Sequence, residues 1–233
     1  MELQKLTKDD DPLGRRRYED ACGTALALEF IGERWALLVI RELMLGPRRF
    51  SDLRADLNGI SANVLTQRLE GLERSGILRR RRLPPPAAVQ VYELTPWGYE
   101  MEPIFQTMGR WALRSPRHDP MLPLSPVSAM LSLRTMIRPD REPVSMTLAF
   151  RFSGDAFIGR LTPEDLVIER GDTNAADVIF DTDTTTFITF VYGKRPVETV
   201  EAEGQLRLAG DRALARRFID CFALPPKLGS EDV

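Results

Sequence analysis

The sequence predicts an α+β protein of two domains, the first built in the order helix, tight turn, helix, β-hairpin. Three observations carry this. Phe50, Leu53 and Leu57 recur at three-and-four spacing, and Leu65, Leu69 and Leu72 do so again, with Asn58-Gly59 breaking the pattern between them. Gly76 then sits where a helix wants a left-handed residue, and residues 77–83 and 89–94 read as strands around a proline-rich tip. Farther on, Pro116, Pro120, Pro123 and Pro126 interrupt any helix, and beyond them the pattern changes to strand alternation. The first order is that of a winged helix-turn-helix.

The elements of this first domain assign their own faces. Ser61 can cap the second helix, whose leucine stripe occupies one narrow arc at 100° per residue and so faces the core. Asn63 and Gln67 fall on the opposite side, with Thr66 between. Amide side chains there suit base edges in a major groove, where they pair bidentately with adenine. The hairpin carries Arg79, Arg80, Arg81 and Arg82 in succession; in a strand, alternate members point to opposite faces, so not all four can follow one phosphate row. Arg48, Arg49 and Arg68 are the other expected phosphate contacts, and Ser51 stands beside them at the start of the first helix.

Composition sets the bounds. A chain of 233 residues, 43% hydrophobic and 28% charged, suits two soluble globular domains. The net charge is −2, yet residues 46–82 hold nine Arg against four acidic residues, a local +5. Residues 117–233 hold 14 basic and 18 acidic residues, a local −4, so a polyanion such as double-stranded DNA would be held by the first half. Cys22 and Cys221 cannot make a disulfide framework, and no metal-ligand spacing exists. No apolar run approaches the roughly 20 residues that span a bilayer, and no signal-like segment opens the chain, so a cytoplasmic, reducing setting without membrane insertion is expected. No paired nucleophile and base and no phosphate-cradling loop is present, so neither enzyme activity nor a cofactor is expected.

Residues 1–17 are polar and charged and read as a flexible arm. In residues 22–45, Leu26, Phe30, Trp35, Leu38 and Leu43 recur near helical spacing, with Gly32 as a break between two helices; Trp35 is expected in the core. Residues 18–115 thus form the DNA-binding domain, 116–126 the linker, 127–226 the second domain and 227–233 a tail. His118, in the linker, has no partners for a catalytic relay or a metal cluster.

The blocks Cys22, IGERWALLVIREL, RRFSDL, GISANVLTQRLEGLERSGIL and VYELTPWG, in that order over about residues 18–114, resemble the HxlR family of bacterial winged-helix transcription regulators. The resemblance implies a homodimer on operator DNA, with residues 61–75 as recognition helix and 78–94 as wing. It also implies that the first helix and the one after the wing build the dimer interface; Met101, Ile104, Phe105, Met108, Trp111 and Ala112 supply that last helix with an apolar face. Cys22 matches a family cysteine that in some relatives responds to oxidants or electrophiles. A lone cysteine is more commonly a small buried apolar residue, and a reactive one needs a nearby positive charge or helix N-terminus. Cys221, among Phe218, Ile219 and Phe222, reads as core.

In the second domain residues 127–137 read as a short amphipathic helix. Val144, Met146, Leu148, Phe150 and Phe152 alternate as one inward face of a strand. Residues 156–161, 166–170, 178–181 and 204–208 read as further strands, and 184–192 and the stretch after Gly210-Asp211 as helices. The blocks ADVIFDTDTTTFITFVYGKRP and EGQLRLAGDRALARRFIDCF, within about residues 130–224, resemble the sterol-carrier-type lipid-transfer domain. That resemblance implies a twisted sheet whose helices enclose an apolar tunnel for a fatty-acyl or sterol-like molecule. Phe150, Phe152, Phe157, Phe187, Phe190 and Phe218 either line such a cavity or fill it; the expectation is a cavity between the sheet and the helices at 184–192 and 211–222.

The expected function is a homodimeric, sequence-specific DNA-binding regulator whose second domain holds an apolar effector or braces the dimer. The alternative is a lipid or acyl carrier whose winged helix mediates protein contacts. The salt dependence of DNA binding separates the two.

Overall fold

The computed structural model describes residues 18–229, so the expected arm at 1–17 lies outside the described residues. The chain divides into two compact units between Met101 and Glu102. The helix after the wing therefore belongs with the second unit, whereas the sequence placed the boundary in the proline-rich segment 116–126.

The first unit runs α1 (Gly23–Ile31), α2 (Ala36–Leu43), α3 (Phe50–Asp56), α4 (Ala62–Arg74), β1 (Leu78–Arg82), β2 (Gln90–Leu94) and the single turn α5 (Pro96–Tyr99). Its core joins Val39, Ile40 and Leu43 of α2 to Leu53 and Leu57, to Leu65, Leu69 and Leu72 of α4, and to Leu78, Val91 and Leu94 of the hairpin. Ser61 caps α4 by accepting from the Val64 amide at 3.3 Å, and Gly76 ends that segment at φ +72°. Gly98 lets α5 approach closely, since a Cβ there would run into the Ile77 carbonyl. Strands β1 and β2 are antiparallel with Arg80 opposite Tyr92. Arg48 adds a one-residue bridge to the free edge: its amide donates to the Tyr92 carbonyl at 2.9 Å, and its carbonyl accepts from the Tyr92 amide at 2.8 Å.

The N-terminal helices depart from the expected stripe. The buried apolar positions of α2 are Ala36, Val39, Ile40 and Leu43, which sets its inward arc one step from Leu38, and Leu38 is exposed; Glu42 is buried as well, paired with Arg41. On α1 only Ala25 is buried; Leu26 and Leu28 are exposed. Trp35, half-buried, takes a left-handed φ of 78° at the entry to α2, with the Arg34 guanidinium 5.5 Å from its ring centre.

The second unit comprises α6 (Glu102–Leu113), α7 (Pro126–Met136), β3 (Met146–Phe152), β4 (Asp155–Leu161), β5 (Leu166–Arg170), β6 (Val178–Thr182), α8 (Thr184–Gly193), α9 (Val197–Ala202), β7 (Leu206–Gly210) and α10 (Arg212–Asp220). One five-stranded sheet has the order β5-β4-β3-β6-β7; β3 and β6 are parallel and every other pair is antiparallel. Val144, Met146, Leu148, Phe150 and Phe152 are all buried, as their alternation requires.

The phenylalanines expected to line a ligand cavity fill the core instead. Register places Phe150 between Phe157 on β4 and Phe180 on β6, with ring centres of Phe150 and Phe180 stacked at 5.8 Å. Phe187 of α8 closes edge-on against Phe150 at 5.5 Å, and Phe218 of α10 lies 5.4 Å from Phe180. Phe152 meets Phe187 at 5.6 Å, and Phe190 meets Phe180 at 6.1 Å. These centroid spacings are those of rings in direct contact, so the sheet–helix interior has no room for a guest there. Cys221 is buried beside this cluster, as expected.

Candidate nucleic-acid interface

Helix α4 turns its leucines inward and presents Asn63, Thr66 and Gln67 to solvent. The Thr66 hydroxyl donates to the Ala62 carbonyl one turn back at 3.0 Å, whereas Ser61 is committed to its cap. Ser51 is exposed on α3 and donates to Asp52 at 3.1 Å; Asp52 in turn accepts from the Arg49 amide at 3.4 Å. Arg49 itself is exposed at the start of α3.

Strand β1 exposes all four of its arginines, and the alternation expected of a strand divides them. Arg79 and Arg81 both reach across to Glu93, at 2.6 and 2.8 Å. Arg80 points to the other face, bonds Glu73 of α4 at 2.9 Å and lies 5.7 Å from the Tyr92 ring centre. Arg82 donates to the Ala88 carbonyl at 3.3 Å, and Arg80, Arg81 and Arg82 border a small recess with Gln90. Sequence reasoning missed Glu93 as the residue that positions Arg79 and Arg81. Its carboxylate is nearly buried, at 9% exposure, and the same charge, after burial itself, helps push the Tyr99 phenol up. The cross-strand register, Arg79 opposite Glu93, was the signal that could have found it.

Two expected phosphate contacts face inward. The Arg48 guanidinium is mostly buried in an ion pair with Asp56. Arg68 donates from Nε to the Arg34 carbonyl at 2.9 Å and pairs with Glu33 at 2.9 Å, with its side chain 16% exposed. Both join segments of the unit rather than standing free on its surface.

Cys22 is exposed and occupies the N-cap of α1. Backbone amides of Thr24 and Ala25, and then the Thr24 side chain, hold its thiol below the ordinary cysteine range. Burial pushes the Cys221 thiol the other way. Among the described residues no group of His, Cys, Asp and Glu could hold a metal ion, and no helix is long and apolar enough to cross a membrane.

An exposed polar helix face beside a basic hairpin is the arrangement of a winged helix-turn-helix unit, and comparison with known proteins gives the class as transcriptional regulators. Residues 30–119 match the HxlR-like helix-turn-helix family. The HTH-type transcriptional regulator YodB of Bacillus subtilis is 37% identical over 86 residues, which is 37% of this chain and 77% of the relative. The uncharacterized HTH-type transcriptional regulator YtfH of Escherichia coli is 32% identical over 94 residues, 40% of this chain and 75% of that one. A structure of the reduced form of YodB, 34% identical, covers 42% of this chain and 98% of its own, with a TM-score of 0.38. The chain belongs to the HxlR-like helix-turn-helix family.

Proposed function

We propose that this protein is a homodimeric regulator that reads operator DNA with α4 and grips the phosphate backbone with its wing, acting in the cytoplasm where that DNA lies. The observation that carries the reading is the pairing of a solvent-facing Asn63–Thr66–Gln67 surface with four exposed arginines on β1. Amides read base edges; arginines neutralise phosphates and supply affinity. Within this reading the phosphate clamp is Arg49 with part of the Arg79–Arg82 run, and Arg48 and Arg68 hold the scaffold. The exposed apolar residues of α6, a helix with no buried position, support a dimer formed through that helix. The second unit serves as the effector-holding or bracing part, in line with its sterol-carrier-like sequence blocks.

Selection of duplexes from a random pool, followed by titration of the best site at several salt concentrations, tests the reading. The expected result is an enriched, roughly palindromic site and a steep fall of affinity with salt. No enrichment and a flat salt response would instead favour a carrier whose winged helix meets proteins.

A second reading concerns regulation. An exposed thiol at a helix N-terminus, with its pKa lowered by the amides there, has the environment of a reactive cysteine. We infer that Cys22 is the position at which oxidants or electrophiles act on the protein.

A further inference from the structure

The second unit has a cavity of about 560 Å³ on the side of α8 opposite its phenylalanines. Thr185, Ile188, Thr189 and Tyr192 recur as one helical stripe and form its floor, while Phe187, Phe190 and Val191 point to the sheet. Leu113 at the end of α6, Leu122 and Leu124 of the connecting segment, Met136 of α7 and Leu224 complete an almost wholly apolar wall. This volume lies within the range of small-molecule sites, and its lining, apolar with few polar groups, is of the same kind.

Those polar groups define what an occupant must offer. The Tyr192 hydroxyl donates to Ser132 Oγ at 3.0 Å, and Ser132 Oγ donates to the Ala129 carbonyl at 2.8 Å. Both protons are committed, so Tyr192 Oη retains lone pairs and can only accept. His118 Nδ1 lies 3.4 Å from the Lys227 ammonium, which also donates to the Ser115 carbonyl at 3.0 Å. An ammonium can only donate, so Nδ1 is the acceptor and the ring proton sits on Nε2. Tyr192 thus supplies an acceptor and His118 a donor, both neutral, and the Thr189 hydroxyl, which donates to the Thr185 and Thr186 carbonyls, adds a further neutral acceptor. Among the described residues the wall holds one carboxylate, Asp119, and the Lys227 cation acts on the same His118 ring, so the two charges there sum to zero. An ionised head group of either sign would lose its hydration and meet no net counter-charge.

We propose that this cavity binds a neutral, predominantly apolar molecule bearing a hydroxyl group, a long-chain alcohol, phenol or sterol-like alcohol, rather than a fatty-acid anion. The proposal deepens the effector reading of the second unit and moves the site from the sheet–helix interior to the outer stripe of α8. Leu122, largely exposed, stands at the mouth, and the C-terminal segment is tied across the end of α6 where the Leu228 amide donates to the Arg114 carbonyl at 2.8 Å.

The test uses the full-length protein and the neutral fluorophore Nile red, displaced in turn by dodecanol, dodecanoate and dodecylamine. The expected result is saturable binding, with dodecanol displacing the dye about tenfold better than either charged analogue of the same chain. Ile188→Trp, which fills the cavity, should weaken dye and dodecanol binding by about tenfold or more, and so should Leu122→Asp at a largely exposed position. Val167→Trp, on β5 away from the cavity, should leave both unchanged. Binding that survives both cavity substitutions would place the dye elsewhere and overturn the site. Dodecanoate displacing as well as dodecanol would overturn the choice of ligand, and no saturable binding would overturn both. DNA binding by the same preparation is read in parallel. A chain that binds dodecanol but no DNA fails the regulator reading alone, and one that binds DNA but no dodecanol fails this proposal alone.

Discussion

At the scale of single residues, the base-reading assignment rests on Asn63 and Gln67. Both are exposed on α4, and four residues apart they lie one turn above the other. Replacing either by Ala should relax preference at one or two operator positions, costing about 1–3 kcal/mol there, while binding to unrelated duplexes barely changes. Equal weakening on every sequence would remove them from base readout. The two cysteines give a second residue-level prediction. Lowering a thiol's pKa enlarges the thiolate fraction at a given pH, and the thiolate is the nucleophile. Cys22 is lowered and exposed, whereas Cys221 is raised and buried. In native protein, iodoacetamide should therefore label Cys22 first, with a pH profile displaced below that of an ordinary thiol. Mass spectrometry of timed samples from pH 6 to 10 reads this directly, about the span over which thiols titrate. Labelling of Cys221 at a matching rate would sink the idea.

At the scale of elements, the wing and the segment before α3 show how similar arginines come to different uses. Arg81 is half exposed on β1, and its nearly buried partner Glu93 is also held by Arg79, so Arg81 can turn to a phosphate without leaving that carboxylate unpaired. Arg81→Ala should weaken binding to every duplex and lower the salt slope by about one unit. Arg48→Ala should leave the slope alone and instead lower the thermal midpoint, because breaking a largely buried pair costs roughly 3–5 kcal/mol. Matching slopes for the two variants would show that the division of roles is mistaken. What the sequence made legible here follows from range. The stripes of α3 and α4, the Ser61 cap and the Gly76 stop are decided within a few residues, and they appear where spacing predicts. The partners of Arg68, at Glu33 and Arg34, come from a different part of the chain, and nothing local to Arg68 signals them. The phenylalanines are the same case on a larger scale. Alternation shows that Phe150 points inward, but only the register with Phe157 and Phe180 shows that rings meet rings and close the space. The stripe of Thr185, Ile188, Thr189 and Tyr192 was readable in principle, yet it acquires a cavity only from the turns and proline segment packed opposite it.

At the scale of the whole molecule, the unsettled surface is α6. Ile104, Met108 and Trp111 fall along one stripe, all are exposed, and Trp111 is 76% so. An isolated chain that leaves a tryptophan and its apolar neighbours to water on one helix has the signature of a surface awaiting a partner. A second copy is the partner that the family resemblance implies, and a two-fold pair would set its recognition helices on half-sites about one helical turn, roughly 34 Å, apart. Trp111→Glu tests this without threatening the fold, since the side chain contributes little to its own unit's core. It puts a charge into each half of a self-complementary contact, so every dimer carries the defect twice. Sedimentation should show the dimer giving way to monomer at concentrations where the unchanged chain stays paired. DNA binding should weaken with it, and the salt slope should fall to about half, because a monomer neutralises the phosphates of one half-site only. Circular dichroism should show no loss of structure. An unaltered sedimentation profile with an unaltered slope would mean that α6 is not the dimer surface, and that its exposed tryptophan meets something other than a second copy of the chain.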